Sequence, residues 1–279
     1  MRAAVVEGGR NRDRAGVIIS NWMMERVVRA GLILASLVVA GCLVSVGLTD
    51  QAAGGDTVAT PAPAIVIGFV GGFVGHENAV HSPVQVARRL RRDYSAGVYV
   101  QVFENRKREE AYKKIREILG GGRAGNLTAD EKRGARIIVY GMSWGGSETV
   151  ALARELKVQG IPVLLTIQVD SVAKIGENDE VIPANVAEAV NFYQTNGLLH
   201  GREKIRAENA ARTRILGNFR YDYKTKSLAC EGYPWWDRLL TKYHTEIECD
   251  PAVWGRVEAL IREKLPVAEE KRGAAGSPD

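Results

Sequence analysis

Residues 136–146 read Arg-Ile-Ile-Val-Tyr-Gly-Met-Ser-Trp-Gly-Gly, an apolar β-branched run that breaks into Gly-x-Ser-x-Gly and leads into a helical pattern. In a chain with 30 glycines the five-residue motif is a weak signal by itself, and its flanks are what make it specific. Residues 135–140 have the length and residue types of a buried strand, and Val150, Ala151, Leu152 and Leu156 follow at helical spacing. A serine at the apex of such a strand-to-helix turn is held in a strained backbone conformation that pushes its hydroxyl clear of both elements. Gly141 and Gly145 keep Cβ atoms out of the crowded turn. Ser143 is therefore the candidate nucleophile, and the helix starting near Trp144 directs unpaired N–H groups at an oxyanion formed beside it.

Strands and helices alternate around this turn. Residues 64–70 (Ala-Ile-Val-Ile-Gly-Phe-Val) predict a buried strand that runs into Gly71-Gly72-Phe73-Val74-Gly75-His76. Ser82-Pro83 predicts a helix start, with Ser82 as N-cap and proline at the first helical position, and the helix should run to about Tyr94. A strand over 97–103 and a charged amphipathic helix over 107–119 come next, the helix ended by the glycines at 120–122. Thr128 with Glu131 makes a capping-box signal, and residues 161–169 predict a strand ending at Asp170-Ser171. This alternation implies an α/β protein, a mainly parallel sheet with helices on both faces. Residues 174–211 read as a small helical excursion over one sheet edge, with 182–194 as an interrupted helix. Residues 213–219 are the last predicted strand, and Asp250-Pro251 opens a final amphipathic helix. The expected organisation is a signal or anchor with its linker over 1–63, a globular domain over 64–265 and a disordered tail over 266–279.

A nucleophilic serine needs a base and a group that orients the base. In folds built on this elbow, the acid and then the histidine follow the serine along the chain. Of the four histidines, His76 and His81 precede Ser143, and His200 sits in the excursion, where a surface or cap role suits it. His244 lies between the last strand and the final helix, in a predicted loop at the carboxyl edge of the sheet, and is the candidate base; a loop histidine bonded to Glu246 or Glu248 is the alternative. Asp170 ends the strand after the elbow and is the candidate acid. Asp222, after the last strand, and Asp179, in the acidic run 177–180 expected to be a solvated loop, compete with it. Oxyanion donors are expected at Trp144 and in the loop after the first strand, at the N–H of Gly72 or Phe73. His76-Glu77 lacks a spaced partner for metal binding, so no metal and no cofactor are expected.

Through Gly141-Met-Ser-Trp-Gly-Gly146 and the Gly-Gly-Phe loop, roughly residues 64–265 resemble the α/β-hydrolase superfamily, most closely its lipase- and thioesterase-type members. Asp170-Ser-Val and Ile182-Pro-Ala-Asn-Val are similar to lipase-like members that carry Asp-Pro-Val after this strand. The chain departs from them in Ser171 for proline and Met142 for a frequent histidine or tyrosine, neither of which touches the triad. The resemblance implies an α/β-hydrolase fold and a serine hydrolase acting on a small ester or thioester, lipids included. A non-catalytic binding module on the same fold, and a serine amidase or peptidase, are the alternatives, because fold alone does not choose a chemistry.

The amino terminus specifies an address. Residues 30–48 are uncharged and apolar, with basic residues before them and a Gly/Ala/Thr/Pro-rich linker after. Such a run is an export signal or a membrane anchor whose basic flank marks the cytoplasmic side. Val39-Ala40-Gly41-Cys42 resembles a bacterial lipobox, while the apolar residues beyond Cys42 suit a transmembrane anchor; Met23-Met24 offers an alternative start. Either reading puts the globular part outside the cytoplasm, membrane-anchored or secreted. Cys230 and Cys249 then remain as a pair able to form a disulfide in an oxidising compartment. Of the net charge of +5, +3 falls before Cys42, which leaves no footprint for nucleic acid, and the arginines at 88, 89, 91 and 92 read as the solvated face of a helix.

Overall fold

The computed structural model describes residues 63–123 and 125–267. Six strands form one sheet: β1 (Ala64–Val70), β2 (Val98–Glu104), β3 (Arg136–Met142), β4 (Val163–Val169), β6 (Val186–Gln194) and β8 (Arg214–Tyr221), in the spatial order β2-β1-β3-β4-β6-β8. Every pairing is parallel. Two short strands, β5 (Val181–Ile182) and β7 (Arg206–Ala207), pair separately. The helices are α1 (Ser82–Asp93), α2 (Arg108–Leu119), α3 (Ala129–Arg133), α4 (Trp144–Val158), α5 (Trp235–Leu240), α6 (Lys242–Cys249) and α7 (Pro251–Lys264). The fold is α/β, as the alternation of elements predicts.

The period-2 geometry of the strands sorts their side chains into two cores. Val66, Ile138 and Tyr140 pack with Val86 and Leu90 of α1 and Trp254 and Ile261 of α7. Ile65, Ile67, Ile137 and Val139 pack with Ile115 of α2 and Val150 and Leu156 of α4 on the other face. The Arg88–Arg92 cluster is solvent-side as expected and partly paired: Arg89 Nε donates to Glu258 at 2.6 Å, and Arg262 links Glu258 to Asp93.

Several local expectations are corrected. Residues 186–194 are a strand inside the sheet, between β4 and β8, and the excursion is not helical. Ala-Glu-Ala favours helix locally, but both faces of β6 are covered, so pairing with two neighbours outweighs propensity and removes the alternation that marks a half-exposed strand. The N-cap of α1 is His81, without a side-chain cap, whereas the Ser82 hydroxyl donates to the Glu248 carbonyl at 2.6 Å. The capping box of Thr128 and Glu131 is formed as read. Asp250 caps α7, accepting from Ala252 N–H at 2.8 Å.

The crossover from β1 leads to β2 on one side, and the crossover from β3 leads to β4 on the other. Adjacent strands whose crossovers diverge leave a crevice at their carboxyl ends, where open α/β sheets bind ligands. The backbones there meet with no side chain between them. A Cβ on Gly145 would stand 2.4 Å from the Phe69 carbonyl oxygen, and one on Gly141 2.2 Å from that of Gly145. Neither carbonyl has freedom to yield. Gly145→Ala should therefore destabilise the domain by about 3 kcal/mol or more, read as a lower urea midpoint at unchanged slope; an unchanged midpoint would contradict this packing.

Candidate active site

Ser143 stands at the turn between β3 and α4 with φ 56° and ψ −125°, a conformation rare for a residue with a side chain. Its backbone is held from several directions. Ser143 N–H donates to Val169 O at 3.0 Å, and Ser143 O accepts from the N–H groups of Gly146, Ser147 and Val172 at 2.9, 3.3 and 3.1 Å. The peptide unit is planar and trans, so fixing the Ser143 carbonyl also fixes the opposed N–H of Trp144. As the first residue of α4, Trp144 has no intrahelical acceptor for that N–H.

Asp170 follows β4, fully buried and itself at positive φ (41°). Its carboxylate accepts from Gln194 N–H (3.2 Å), Gln194 Nε2 (2.8 Å), Gly201 N–H (2.8 Å) and His244 Nδ1 (2.6 Å). A buried carboxylate without such partners would be costly; this one meets donors from three segments. Because Nδ1 donates to a carboxylate, Nε2 is the nitrogen left for proton exchange. His244 lies within helix α6 instead of the expected loop. Ser143 and His244 line one cavity of about 580 Å³. They are not hydrogen-bonded to each other in this state, and such contacts commonly close only around a substrate.

The competing acids stand elsewhere. Asp222 is exposed and accepts from Lys224 N–H at 2.9 Å. Asp179, expected in a solvated loop, is fully buried, bonded to Ser171 Oγ (2.6 Å) and Arg202 Nε (2.9 Å); the ion pair holds the acidic run against the sheet. His200 is exposed, as its surface role requires. His76 Nδ1 donates to Glu104 at 2.9 Å, and that bond holds the Glu104 carboxyl below the usual range despite burial, with help from Arg106 and Lys107.

The loop after β1 carries Gly71, Gly72 and Phe73 to Ser143. A Cβ on Gly71 would lie 2.8 Å from Ser143 Cβ, so the loop backbone passes directly beside the serine. Gly72 takes φ 47°, and neither it nor Phe73 donates its N–H to an acceptor among the described residues. The Phe73 ring stands edge-on to Trp144 at 5.7 Å. The rest of the cavity is largely apolar, with Val74, Val172, Leu199, Pro234 and Trp236 in its wall.

Helix α6 is tied down on several sides. His81 Nδ1 donates to Glu248 at 2.7 Å, with the His81 ring edge-on to Tyr233, and Ser227 Oγ donates to Glu246. The expected disulfide joins Cys230 to Cys249, the last residue of the helix. Sequence reading missed Gln194, whose segment it took for a helix, and the His81–Glu248 pair, which is separated by 167 residues.

No protein-family model matches the chain, and no curated protein matches it. Among solved structures it is similar to RedJ with a PEG molecule bound in its active site, with 12% identity, a TM-score of 0.34, and coverage of 78% of this chain and 98% of that one. It is also similar to an inhibited esterase B from Lactobacillus rhamnosis, with 11% identity, a TM-score of 0.30, and coverage of 74% and 81%.

The disulfide closes a sequence separation of 19 residues around the segment that bears His244. In the chain-entropy account a loop of this size stabilises by about 3 kcal/mol. Reduction should lower the melting temperature by several degrees; identical melting of the oxidised and reduced protein would show that the bridge constrains nothing.

Proposed function

We propose that the protein is a serine hydrolase that cleaves an ester or thioester through an acyl-enzyme, with Ser143 as nucleophile, His244 as base and Asp170 as the acid that orients it. The observation that carries this reading is the strained Ser143 turn opening onto the same cavity as His244, whose Nδ1 is bonded at 2.6 Å to the buried Asp170. Ser143 Oγ attacks the carbonyl carbon while His244 Nε2 takes its proton, and Asp170 stabilises the imidazolium that results. The tetrahedral oxyanion accepts from Trp144 N–H and from an N–H of the Gly72-Phe73 segment. Collapse expels the alcohol or thiol, protonated by His244, and a water deprotonated by the same nitrogen releases the acid. No step requires a cofactor.

The cavity wall favours an apolar acyl or alcohol group. Phe73 is 89% exposed and Trp236 50% exposed at its margin, although both are large apolar side chains. A lipid ester falls within this substrate class. The disulfide is compatible with an exported protein. We infer further that residues 30–48, which lie outside the described residues as does Cys42, deliver the domain across a membrane as anchor or signal. Among the described residues no helix is long and apolar enough to cross a membrane.

Ser143→Ala should abolish fluorophosphonate labelling and lower turnover of p-nitrophenyl esters by on the order of 10^4-fold or more, with the fold intact. Persistent labelling of this variant would refute the nucleophile. His244→Ala should be nearly as severe, and Asp170→Asn less so, because the acid acts through the histidine. The control is Asp222→Asn, expected within two-fold of wild type as an order-of-magnitude statement; a crippled Asp222 variant beside an active Asp170 variant would move the acid to the end of β8. In fractionated native cells, ester turnover should follow the membrane or exported fraction, and enzyme confined to the cytosol would overturn the address.

A further inference from the structure

We propose that Asn105 is a positioning residue that aims the second oxyanion donor, and that this donor is the N–H of Phe73 rather than that of Gly72. The inference rests on the serine-hydrolase reading and deepens it. Asn105 is the first residue after β2, buried, and its Nδ2 donates to the carbonyl oxygen of Gly72. Only the amide nitrogen can face a carbonyl in this way, so the chemistry of the contact fixes which end of the side chain points there.

The peptide joining Gly72 to Phe73 is planar and trans, so its C=O and N–H point to opposite sides. The sheet order is β2-β1-β3, with Asn105 beyond the end of β2 and Ser143 beyond the end of β3. A Gly72 carbonyl drawn toward the β2 side turns the Phe73 N–H toward the β3 side, where Ser143 stands and where a Cβ on Gly71 would touch it. The same device serves the first donor: the three N–H groups on the Ser143 carbonyl fix the opposed N–H of Trp144. Each oxyanion donor is thus aimed by anchoring the carbonyl of the preceding residue.

Asn105 is itself held by an ionic brace in which two half-buried cations meet the buried Glu148. Lys174 Nζ donates to the Asn105 carbonyl at 2.7 Å and to Glu148 Oε1 at 2.6 Å, while Arg108 Nη1 meets the other Glu148 oxygen at 2.8 Å. Glu148 belongs to α4, the helix that starts at the nucleophile, so both walls of the oxyanion site share one support. Burial opposes the Arg108 charge, and Glu148 with Glu155 more than offsets it, raising its pKa.

The test uses Asn105→Asp, which keeps the shape of the side chain and loses the donor, and Asn105→Ala. Both should lower kcat for p-nitrophenyl esters by about 10- to 100-fold, the range for an oxyanion donor made less effective, and slow fluorophosphonate inactivation in parallel. KM should stay within about two-fold and the melting temperature within a few degrees, because the contact matters in the transition state and hardly in the ground state. A merely structural role would instead lower the melting temperature and raise KM. Asn105→Asp with wild-type kcat and wild-type labelling would overturn the assignment alone; wild-type protein that neither labels nor turns over ester would overturn the serine-hydrolase reading, and this assignment with it.

Discussion

Backbone meets backbone at the carboxyl ends of β1 and β3, and the architecture of the candidate site follows from that contact. Gly145 lies against the Phe69 and Val70 carbonyls, and Gly71 against Ser143. A side chain at either glycine would separate the loop from the turn and remove the space in which two N–H groups can converge. Once the contact is made, α4 can leave β3 in only one direction, and the positive φ of Ser143 follows from that geometry. The strain is offset by hydrogen bonds reaching Ser143 from β4 and the loop beyond it, so Ser143 and Asp170 are positioned as one unit.

Buried charge organises the surroundings of this contact. Asp170, Asp179 and Glu148 are all buried, and each is met by donors from elements distant in the chain. Removing a partner from any of them would leave an uncompensated charge in a poorly solvated place, a larger penalty than the pairing is worth by itself. These groups act less as sources of stability than as constraints on alternatives: α6 must present His244 to Asp170, and the segment after β6 must bring the Gly201 N–H to the same carboxylate. The His81–Glu248 pair and the disulfide hold α6 against that choice from its other end.

The strand-to-helix turn, the alternating elements, the capping box of α3, the disulfide pairing and the candidate residues Asp170 and His244, which the structure brings within hydrogen-bond distance, were legible because each depends on residues close in sequence or on few alternatives. Four histidines and three cysteines make short searches. The segment 182–194 was not legible. Ala-Glu-Ala propensity points to helix, and only the presence of β4 on one side and β8 on the other turns it into a strand. Gln194 was lost with it. Asp179 looked solvated because its neighbours are acidic, yet Arg202 and Ser171, which bury it, are not its neighbours in the chain.

By itself the sequence determined which residue types could do chemistry and at which strand ends they stand, since a strand-to-helix turn around Ser143 is a local matter of steric space and hydrogen-bonding pattern. Tertiary structure alone decided which groups face one another across the edge of the sheet. Asn105 beside the Gly72 carbonyl, Gln194 on Asp170 and His81 on Glu248 are separated by 33, 24 and 167 residues. Local patterns carry no record of such pairs, because strand order and crossover direction bring them together and both are set by burying two faces of a sheet at once.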